Sequence, residues 1–267
     1  MSRIAARFDA LRHSGRKALV PFITAGDPSL EATVPVMHAL VEAGADVLEL
    51  GVPFSDPMAD GPTIQLSSER ALARGGGNAH VFDCVRRFRE RDTETPVVLM
   101  GYLNPVEIRG PERHAREAAE AGVDGLLLVD LPPEEAAGLR EPFAAAGLDL
   151  VLLAAPTTDA ARMRRLLAEA SGYLYYVSIA GVTGASDRLD PQAVARHLAE
   201  VRGDSPVPVV VGFGIRDADS AAAVARAADG VVIGSALVSL LAEASDADDA
   251  AARARAFLAP IRTALDR

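Results

Sequence analysis

Short apolar runs alternate with longer Ala-, Arg- and Glu-rich stretches along the whole chain, and this alternation constrains the fold more than any other feature. The apolar runs are nearly continuous in Val, Leu and Ile, as expected for parallel strands that are covered on both faces. The stretches between them are long enough for the crossover helices that parallel strands require. The eight runs are Ala18–Thr24, Asp46–Val52, Pro96–Gly101, Asp124–Val129, Leu148–Ala154, Tyr173–Ser178, Val207–Gly212 and Gly230–Ile233.

Eight strand–helix units predict a closed (β/α)8 TIM barrel of the α/β class, and the chain length of 267 residues suits one such domain over residues 1–267. Residues 2–14 are predicted to form an extra N-terminal helix that covers the barrel floor. A doubly wound open sheet is the alternative, because periodicity alone does not show closure. Its dinucleotide fingerprint is absent, since Gly212-Phe213-Gly214 lacks the third glycine and comes late in the chain.

Charge and cysteine content exclude several classes of partner. The net charge of −10 argues against a nucleic-acid surface, while backbone amides can still bind a small phosphorylated substrate. No apolar stretch approaches the ~18 residues of a membrane span, and residues 1–10 do not form a secretory signal. Cys84 is the only cysteine, so no intrachain disulfide is possible. We expect a cytoplasmic protein with neither a membrane nor a nucleic acid as partner.

Two carboxylates stand out at the predicted catalytic end of the barrel. Glu49 lies inside the second apolar run, where an acidic side chain is costly unless it is functional or paired. Asp60 follows in the loop 51–62, which is long for a βα connection and contains three prolines. Active sites of TIM barrels lie at the carboxyl ends of the strands. Glu49 and Asp60 are therefore candidate acid–base residues.

Other mechanisms are disfavoured by what the sequence lacks. Lys17 is the only lysine, and it precedes the first strand on the barrel floor, away from any mouth where a Schiff base would form. The histidines fall in predicted helices or their flanks with no metal-ligand spacing, so we expect no metal and no histidine-based triad. They are His13, His38, His80, His114 and His197.

Three glycine-rich loops late in the chain are predicted to present backbone amides to a phosphate. They are Ala180–Gly184, Gly212–Ile215 and Gly234–Ala236. The last two are expected to open helices directly after the seventh and eighth strands, where barrel enzymes often bind phosphate. Glycine permits close approach of the backbone, and a helix N-terminus favours an anion. The simpler interpretation, that these glycines only form tight turns, remains open.

Nearly the whole chain resembles the tryptophan synthase alpha chain family. The most specific stretch runs from Leu48 to Pro57 and continues from Ala59 to Gln65. Together the matching segments follow in order, about one per barrel unit. The others are Pro21–Pro28, Met100–Pro105, Gly122–Gly125, Asp130–Glu135, Ala155–Thr158, Tyr175–Ser178, Gly181–Gly184 and Gly212–Ile215.

This resemblance implies cleavage of indole-3-glycerol phosphate to indole and glyceraldehyde 3-phosphate. Glu49 would be the general acid–base, Asp60 would stabilise positive charge at the indole nitrogen, and Tyr175 would support the site beside Glu49. The remaining site residues implied by the resemblance are Gly184, Gly214, Gly234 and Ser235 for the phosphate, and Phe22, Met100, Leu127, Thr183 and Phe213 for the indole.

The resemblance also implies a partner, the tryptophan synthase beta chain, in an alpha2beta2 tetramer. Pyridoxal phosphate is expected only in that partner, and no cofactor is expected in this chain. The contact surface is expected at Pro53, Asp56, Asn104 and Pro105. Three alternatives stay open: a non-catalytic activator of the beta chain, a stand-alone indole-producing lyase, and another phosphate-binding barrel. The last would have to explain the absence of a lysine at the barrel mouth.

Overall fold

Eight parallel strands and twelve helices alternate in the computed structural model, which describes residues 2–177, 191–212 and 214–267, with the backbone alone for 191–197. The strands are β1 Ala18–Thr24, β2 Leu48–Gly51, β3 Val97–Gly101, β4 Gly125–Leu128, β5 Asp149–Ala154, β6 Leu174–Val177, β7 Val209–Gly212 and β8 Gly230–Ile233. The helices are α1 Arg3–Ser14, α2 Thr33–Glu42, α3 Pro62–Ala73, α4 Asn78–Arg89, α5 Leu103–Arg109, α6 Pro111–Ala121, α7 Ala136–Ala145, α8 Ala160–Glu169, α9 Pro191–Asp204, α10 Ala218–Ala225, α11 Ser235–Leu241 and α12 Ala247–Leu265.

The strands close into a barrel in sequence order, with β8 pairing back onto β1. This confirms the predicted (β/α)8 fold and rules out the open sheet. All eight predicted runs contain a strand, but six of the strands begin one or two residues after the predicted run. The register places Glu49 between Phe22 of β1 and Val98 of β3, at the same height in the barrel wall.

Alternating side chains of the strands fill two separate apolar layers. One set points into the barrel and includes Val20, Val98, Leu127 and Val210. The other set points outward and packs against the surrounding helices, as parallel strands buried on both faces require. The inward set continues to Glu49, which is fully buried. The carboxylate of Glu49 therefore lies within a layer of side chains that is otherwise mainly apolar.

Helix α1 covers the barrel floor, as predicted. Ser2 caps it, with its side chain accepting a hydrogen bond from the Ala5 amide, and Gly15 ends it in a left-handed conformation. Its buried side chains Ile4, Phe8 and Leu11 join the interior layer rather than the outer one. The helix thus closes the floor and leaves the opposite end of the barrel available for chemistry.

Three aspartates on the floor connect neighbouring strands. Each immediately precedes a strand, or stands two residues before it, and accepts a hydrogen bond from a backbone amide of the previous strand. Each also pairs with an arginine. The sets are Asp46 with Leu19 and Arg262, Asp124 with Val97 and Arg89, and Asp229 with Val209 and Arg202.

None of the helices in the described part of the chain combines the length and apolarity needed to span a membrane.

Candidate active site

A cavity of about 410 Å³ lies at the carboxyl end of the barrel, opposite the floor covered by α1. Its wall combines strand residues with the loops that follow β2, β7 and β8, which is the end where barrel enzymes carry their sites. Several residues predicted from the sequence meet here. The described lining residues are Phe22, Glu49, Asp60, Gly61, Ile64, Met100, Tyr175, Gly214, Ile215, Arg216, Val232, Gly234, Ser235, Ala236 and Ser239.

Glu49 enters this cavity from β2 with its two carboxylate oxygens in different environments. Its Oε1 accepts a hydrogen bond of 2.6 Å from the Tyr173 hydroxyl. Its Oε2 is buried and has no hydrogen-bond partner among the described residues. Burial raises the pKa of Glu49 to about 7, and the Tyr173 hydrogen bond opposes part of that rise. A carboxyl group with this pKa can both donate and accept a proton near neutral pH.

Tyr173 is a site residue that sequence reasoning missed. It is fully buried in the interior layer, and its ring lies 5.8 Å from that of Phe8 in α1, measured between centroids. The floor helix therefore packs against the tyrosine that holds Glu49. The sequence signal was Tyr173 and Tyr175 standing two positions apart, which places both side chains on one face of a strand.

Asp60 reaches the same cavity from the loop between β2 and α3. Its Oδ2 accepts a hydrogen bond of 2.9 Å from the Tyr102 hydroxyl, and that hydroxyl accepts one of 3.0 Å from the Ala59 amide. The Tyr102 ring is stacked on Phe54, with centroids 4.9 Å apart. Burial raises the pKa of Asp60, whereas the Tyr102 hydrogen bond lowers it. Tyr102, also missed from the sequence, therefore fixes one oxygen of Asp60.

Tyr175 lines the cavity from β6, but the hydroxyl that donates a hydrogen bond to Glu49 is that of Tyr173. Its ring instead fills the space above Gly212 at the end of β7. A Cβ atom at Gly212 would lie only 2.0 Å from the Tyr175 hydroxyl oxygen. A glycine is therefore required at this point of β7 for Tyr175 to take its position.

The opposite part of the cavity is formed by the loops after β7 and β8. Gly214 has a φ of +80°, which favours glycine, and Gly234 precedes α11, whose first residue is Ser235. The prediction that Gly212–Ile215 opens a helix directly is wrong. Helix α10 begins only at Ala218, because Asp217 caps it by accepting a hydrogen bond from the Ser220 amide.

The other predicted site residues divide into three groups. Phe22 and Met100 line the cavity, and their contact with an indole stays a prediction. Leu127 does not line it and is fully buried in the same interior layer as Tyr175. Thr183, Gly184 and Phe213 lie outside the described residues.

The predicted partner surface is only partly accessible. Asp56 and Asn104 are exposed and Pro105 is half-buried, but Pro53 is buried within the chain. The accessible surface of this loop is therefore presented by its neighbours, such as Asp56. The large exposed apolar side chains of the described residues are Met58, Leu66 and Ile108, which follow β2 and β3.

No group of three or more His, Cys, Asp or Glu side chains in the described ranges is placed to hold a metal ion. Lys17 lies on the floor, where its Nζ donates to the Ala228 carbonyl, and so it is remote from the cavity. The described groups of the cavity that could act on a ligand are therefore the two carboxylates, the tyrosines, Arg216 and the loops after β7 and β8.

Comparison with known proteins gives one consistent result. Residues 8–265 match the family model described as tryptophan synthase alpha chain. The chain is 66% identical over 264 residues to the tryptophan synthase alpha chain of Xanthomonas campestris pv. campestris strain B100, covering 99% of this chain and 97% of that protein. Tryptophan synthase subunit alpha from Legionella pneumophila str. Paris superposes with a TM-score of 0.93 at 48% identity, covering 100% and 99% of the two chains. A chain of the tryptophan synthase a2b2 complex from Pyrococcus furiosus superposes with a TM-score of 0.84 at 36% identity, covering 92% and 98%.

Proposed function

Because the chain belongs to the tryptophan synthase alpha chain family, we propose that its cavity cleaves indole-3-glycerol phosphate to indole and glyceraldehyde 3-phosphate through Glu49 and Asp60. Membership of the family makes the chain a lyase of tryptophan biosynthesis. The proposal concerns which side chains perform the reaction and how. It rests on the contacts that the two carboxylates make in a single cavity.

Glu49 transfers the protons in the proposed reaction. Protonated Glu49 donates to C3 of the indole ring, and the ring nitrogen takes up the positive charge. The carboxylate then removes the proton from the hydroxyl on the carbon attached to C3, so that an aldehyde forms as the carbon–carbon bond breaks. The bonding electrons return to the ring and restore the neutral indole. Glu49 regains its proton, and no external acid or base is consumed.

The feature that carries this assignment is the free oxygen of Glu49. Oε2 has no hydrogen-bond partner among the described residues, although it is buried, while Oε1 is held by Tyr173. A buried polar atom without a partner is costly, so its presence requires a reason. A substrate that exchanges protons with Oε2 supplies one. The pKa of about 7 supports the same role, because both protonation states are then accessible.

Asp60 acts on the developing charge in this scheme. Its Oδ2 is held by Tyr102, which leaves Oδ1 available to accept a hydrogen bond from the indole N–H. That hydrogen bond strengthens as the ring nitrogen becomes positive. An interaction that is stronger in the transition state than in the ground state accelerates the reaction. Asp60 thereby helps the substrate itself to provide the electron sink, without a lysine imine or a metal.

The phosphate of the substrate is proposed to bind at the end of the cavity formed by Gly214, Gly234 and Ser235. Phe22 and Met100 are proposed to contact the indole. This arrangement orients the carbon–carbon bond between the carboxylates and the phosphate end. Binding energy from the phosphate would then position the reacting atoms.

Substitution of Glu49 tests the assignment. Glu49→Gln keeps the size of the side chain but removes the titratable proton, so indole release should fall by roughly 10²–10⁴-fold. The control is Glu141→Gln, which changes an exposed glutamate on α7 and should retain full activity. Indole release by the two purified variants is measured with and without beta chain. Wild-type rates from Glu49→Gln would contradict the mechanism, and a wild-type chain that stimulates a beta chain without releasing indole would support a non-catalytic activator.

We further propose that the chain docks on a tryptophan synthase beta chain in an alpha2beta2 tetramer, with pyridoxal phosphate bound by the partner. Met58 and Ile108 are 81% and 83% exposed on the segments that follow β2 and β3. Asp60 and Tyr102 belong to these same segments, so binding of the partner there would contact the segments that position Asp60. Exposed apolar side chains clustered on one face are typical of a protein–protein interface.

Ile108→Asp tests this docking surface. A charge placed in a desolvated contact should weaken beta-chain binding by at least roughly tenfold, since an unpaired buried charge costs several kcal/mol. Ala144→Asp on α7 adds the same charge at an exposed position away from the proposed surface and should leave binding unchanged. Titration calorimetry with purified beta chain compares the two. Equal affinities for the wild type and Ile108→Asp would place the interface elsewhere.

A further inference from the structure

Arg216 brings a positive charge to the cavity, and neither the sequence motifs nor the proposed mechanism account for it. It follows Gly214 by two positions and lines the cavity together with Gly234, Ser235 and Ser239. Its side chain is exposed and forms no ion pair with the described carboxylates, although its charge acts on the neighbouring Asp217. Within the described lining it is the only cationic side chain, against the two acids Glu49 and Asp60.

The acid next to this guanidinium in the sequence is held in the cap of helix α10. The adjacent carboxylate, Asp217, accepts hydrogen bonds of 2.8 Å from the Ser220 amide and 2.7 Å from the Ser220 hydroxyl. The backbone amide of Arg216 donates to the same Ser220 oxygen at 3.1 Å. The capping interaction thus engages the nearest acid and fixes the backbone of Arg216. The guanidinium makes no direct ion pair with Asp217 and can bind an anion in the cavity.

Charge at the two ends of the cavity is therefore distributed unevenly. The acids reach it from β2 and from the loop that follows β2, whereas Arg216 comes from the loop after β7. A phosphomonoester carries a charge of about −1.5 to −2 at pH 7. A guanidinium matches phosphate oxygens with paired N–H donors, whereas backbone amides provide only partial charges.

We infer that Arg216 is a specificity-determining residue, whose guanidinium binds the dianionic phosphomonoester of the substrate in addition to the loop amides. This inference rests on the proposed function, because it concerns the same substrate. Arg216 lies away from the carbon–carbon bond that breaks, so it binds ground state and transition state alike. Loss of its charge should raise KM and leave kcat nearly unchanged.

The experiment compares Arg216→Gln and Arg216→Lys with the matched control Arg226→Gln, which removes an exposed arginine at the far end of α10. Steady-state cleavage of indole-3-glycerol phosphate gives KM and kcat. Calorimetry with glycerol 3-phosphate, a stable phosphomonoester, gives affinity at several KCl concentrations. We expect Arg216→Gln to raise KM and the Kd for glycerol 3-phosphate by roughly tenfold. Its Kd should also depend less on salt, while Arg216→Lys is intermediate and Arg226→Gln matches the wild type.

The outcomes separate this inference from the proposed function. If the wild type cleaves the substrate and binds glycerol 3-phosphate, and Arg216→Gln does so with unchanged KM, Kd and salt dependence, the inference alone is overturned. If the wild type neither cleaves the substrate nor binds the phosphomonoester, the proposed function fails and the inference fails with it. A tenfold loss restricted to kcat would also overturn the inference, because it would assign Arg216 to the chemical step. Urea unfolding of each variant verifies that the fold is retained.

Discussion

At the scale of single residues, Glu49 is held from inside the barrel and Asp60 from its rim. Tyr173 anchors Glu49 within a fully buried layer, whereas Tyr102 anchors Asp60 from the segment that follows β3. In each case a phenol hydroxyl donates to one carboxylate oxygen and leaves the other available. Fixing one oxygen in this way orients a catalytic group without consuming its reactive atom.

Removal of the Tyr173 hydroxyl should change the pH dependence of catalysis. The hydrogen bond stabilises the Glu49 carboxylate and so lowers its pKa; Tyr173→Phe should therefore raise the pKa above about 7. Since the proposed reaction starts from protonated Glu49, the fall of kcat/KM on the alkaline side should move to higher pH. A shift of about half to one pH unit corresponds to an ordinary hydrogen bond.

The matched variant for this measurement is Tyr102→Phe, which removes the same hydroxyl from Asp60 instead of Glu49. It should lower the rate without displacing the alkaline limb that belongs to Glu49. A pH profile of kcat/KM for both variants provides the test. An alkaline limb that stays in place or moves to lower pH in Tyr173→Phe would separate Tyr173 from the titration of Glu49.

The residues of the site were predictable to different degrees. Glu49 could be identified because an acid inside an apolar strand needs a reason, and Asp60 because its loop is long and rich in proline. Tyr173 could not be assigned to Glu49, because the two are 124 positions apart and their contact depends on how the barrel closes. Tyr102 contacts Asp60 across 42 positions for the same reason.

At the scale of secondary-structure elements, the floor aspartates explain where the strands begin. Asp46 and Asp124 were included in the predicted apolar runs, but β2 starts at Leu48 and β4 at Gly125. Their carboxylates accept amide hydrogen bonds from the preceding strand, while their own amides donate to carbonyls of that strand. Hydrophobic patterning located the strands, but it did not separate a strand residue from an acid that caps a neighbour. The same limit applies to α10, whose start is set by Asp217 rather than by the preceding glycines.

Loss of one floor carboxylate should destabilise the barrel. Asp124 is buried and accepts hydrogen bonds from the Val97 amide, Arg89 and Arg3. Asp124→Ala would remove the closest carboxylate partner of the largely buried Arg89 and the acceptor of a strand amide, and should reduce the free energy of unfolding by about 3 kcal/mol. The measurement is urea unfolding at pH 7.

The control for this substitution is Asp83→Ala on α4. Asp83 also pairs with an arginine, Arg87, but both side chains are about half exposed. An exposed pair of this kind contributes on the order of 0.5 kcal/mol or less. Similar destabilisation by the two substitutions would mean that the floor carboxylates do not differ in energy from ordinary surface ion pairs.

At the scale of the whole molecule, the buried carboxyl group of Glu49 lowers the free energy of unfolding of the barrel. Glu49 is fully buried, and its Oε2 lacks a partner among the described residues. Ionising such a group in the folded chain is more costly than in the unfolded chain, as the raised pKa of Glu49 expresses. The rest of the barrel, with its two apolar layers and its closed floor, must supply the compensating stability. We therefore expect replacement of Glu49 to stabilise the protein, even though the same replacement should slow the proposed reaction.

This expectation has a definite dependence on pH. Between the ordinary pKa of 4.5 and the folded-state value of about 7, the native chain retains the Glu49 proton that the unfolded chain has released. The native state then binds more protons, so Glu49 makes the free energy of unfolding fall as pH rises through this window, and its effect is constant above it. Glu49→Gln has no such titration. Its free energy of unfolding relative to that of the wild type should therefore increase by roughly 3 kcal/mol between pH 4.5 and 7, at about 1.4 kcal/mol per pH unit. Asp60 titrates in both proteins and cancels in the difference. Urea unfolding of the wild type, Glu49→Gln and the exposed control Glu141→Gln at several pH values in this range measures the difference. If the free energies of unfolding of the wild type and Glu49→Gln change with pH in parallel, burial does not raise the pKa of Glu49.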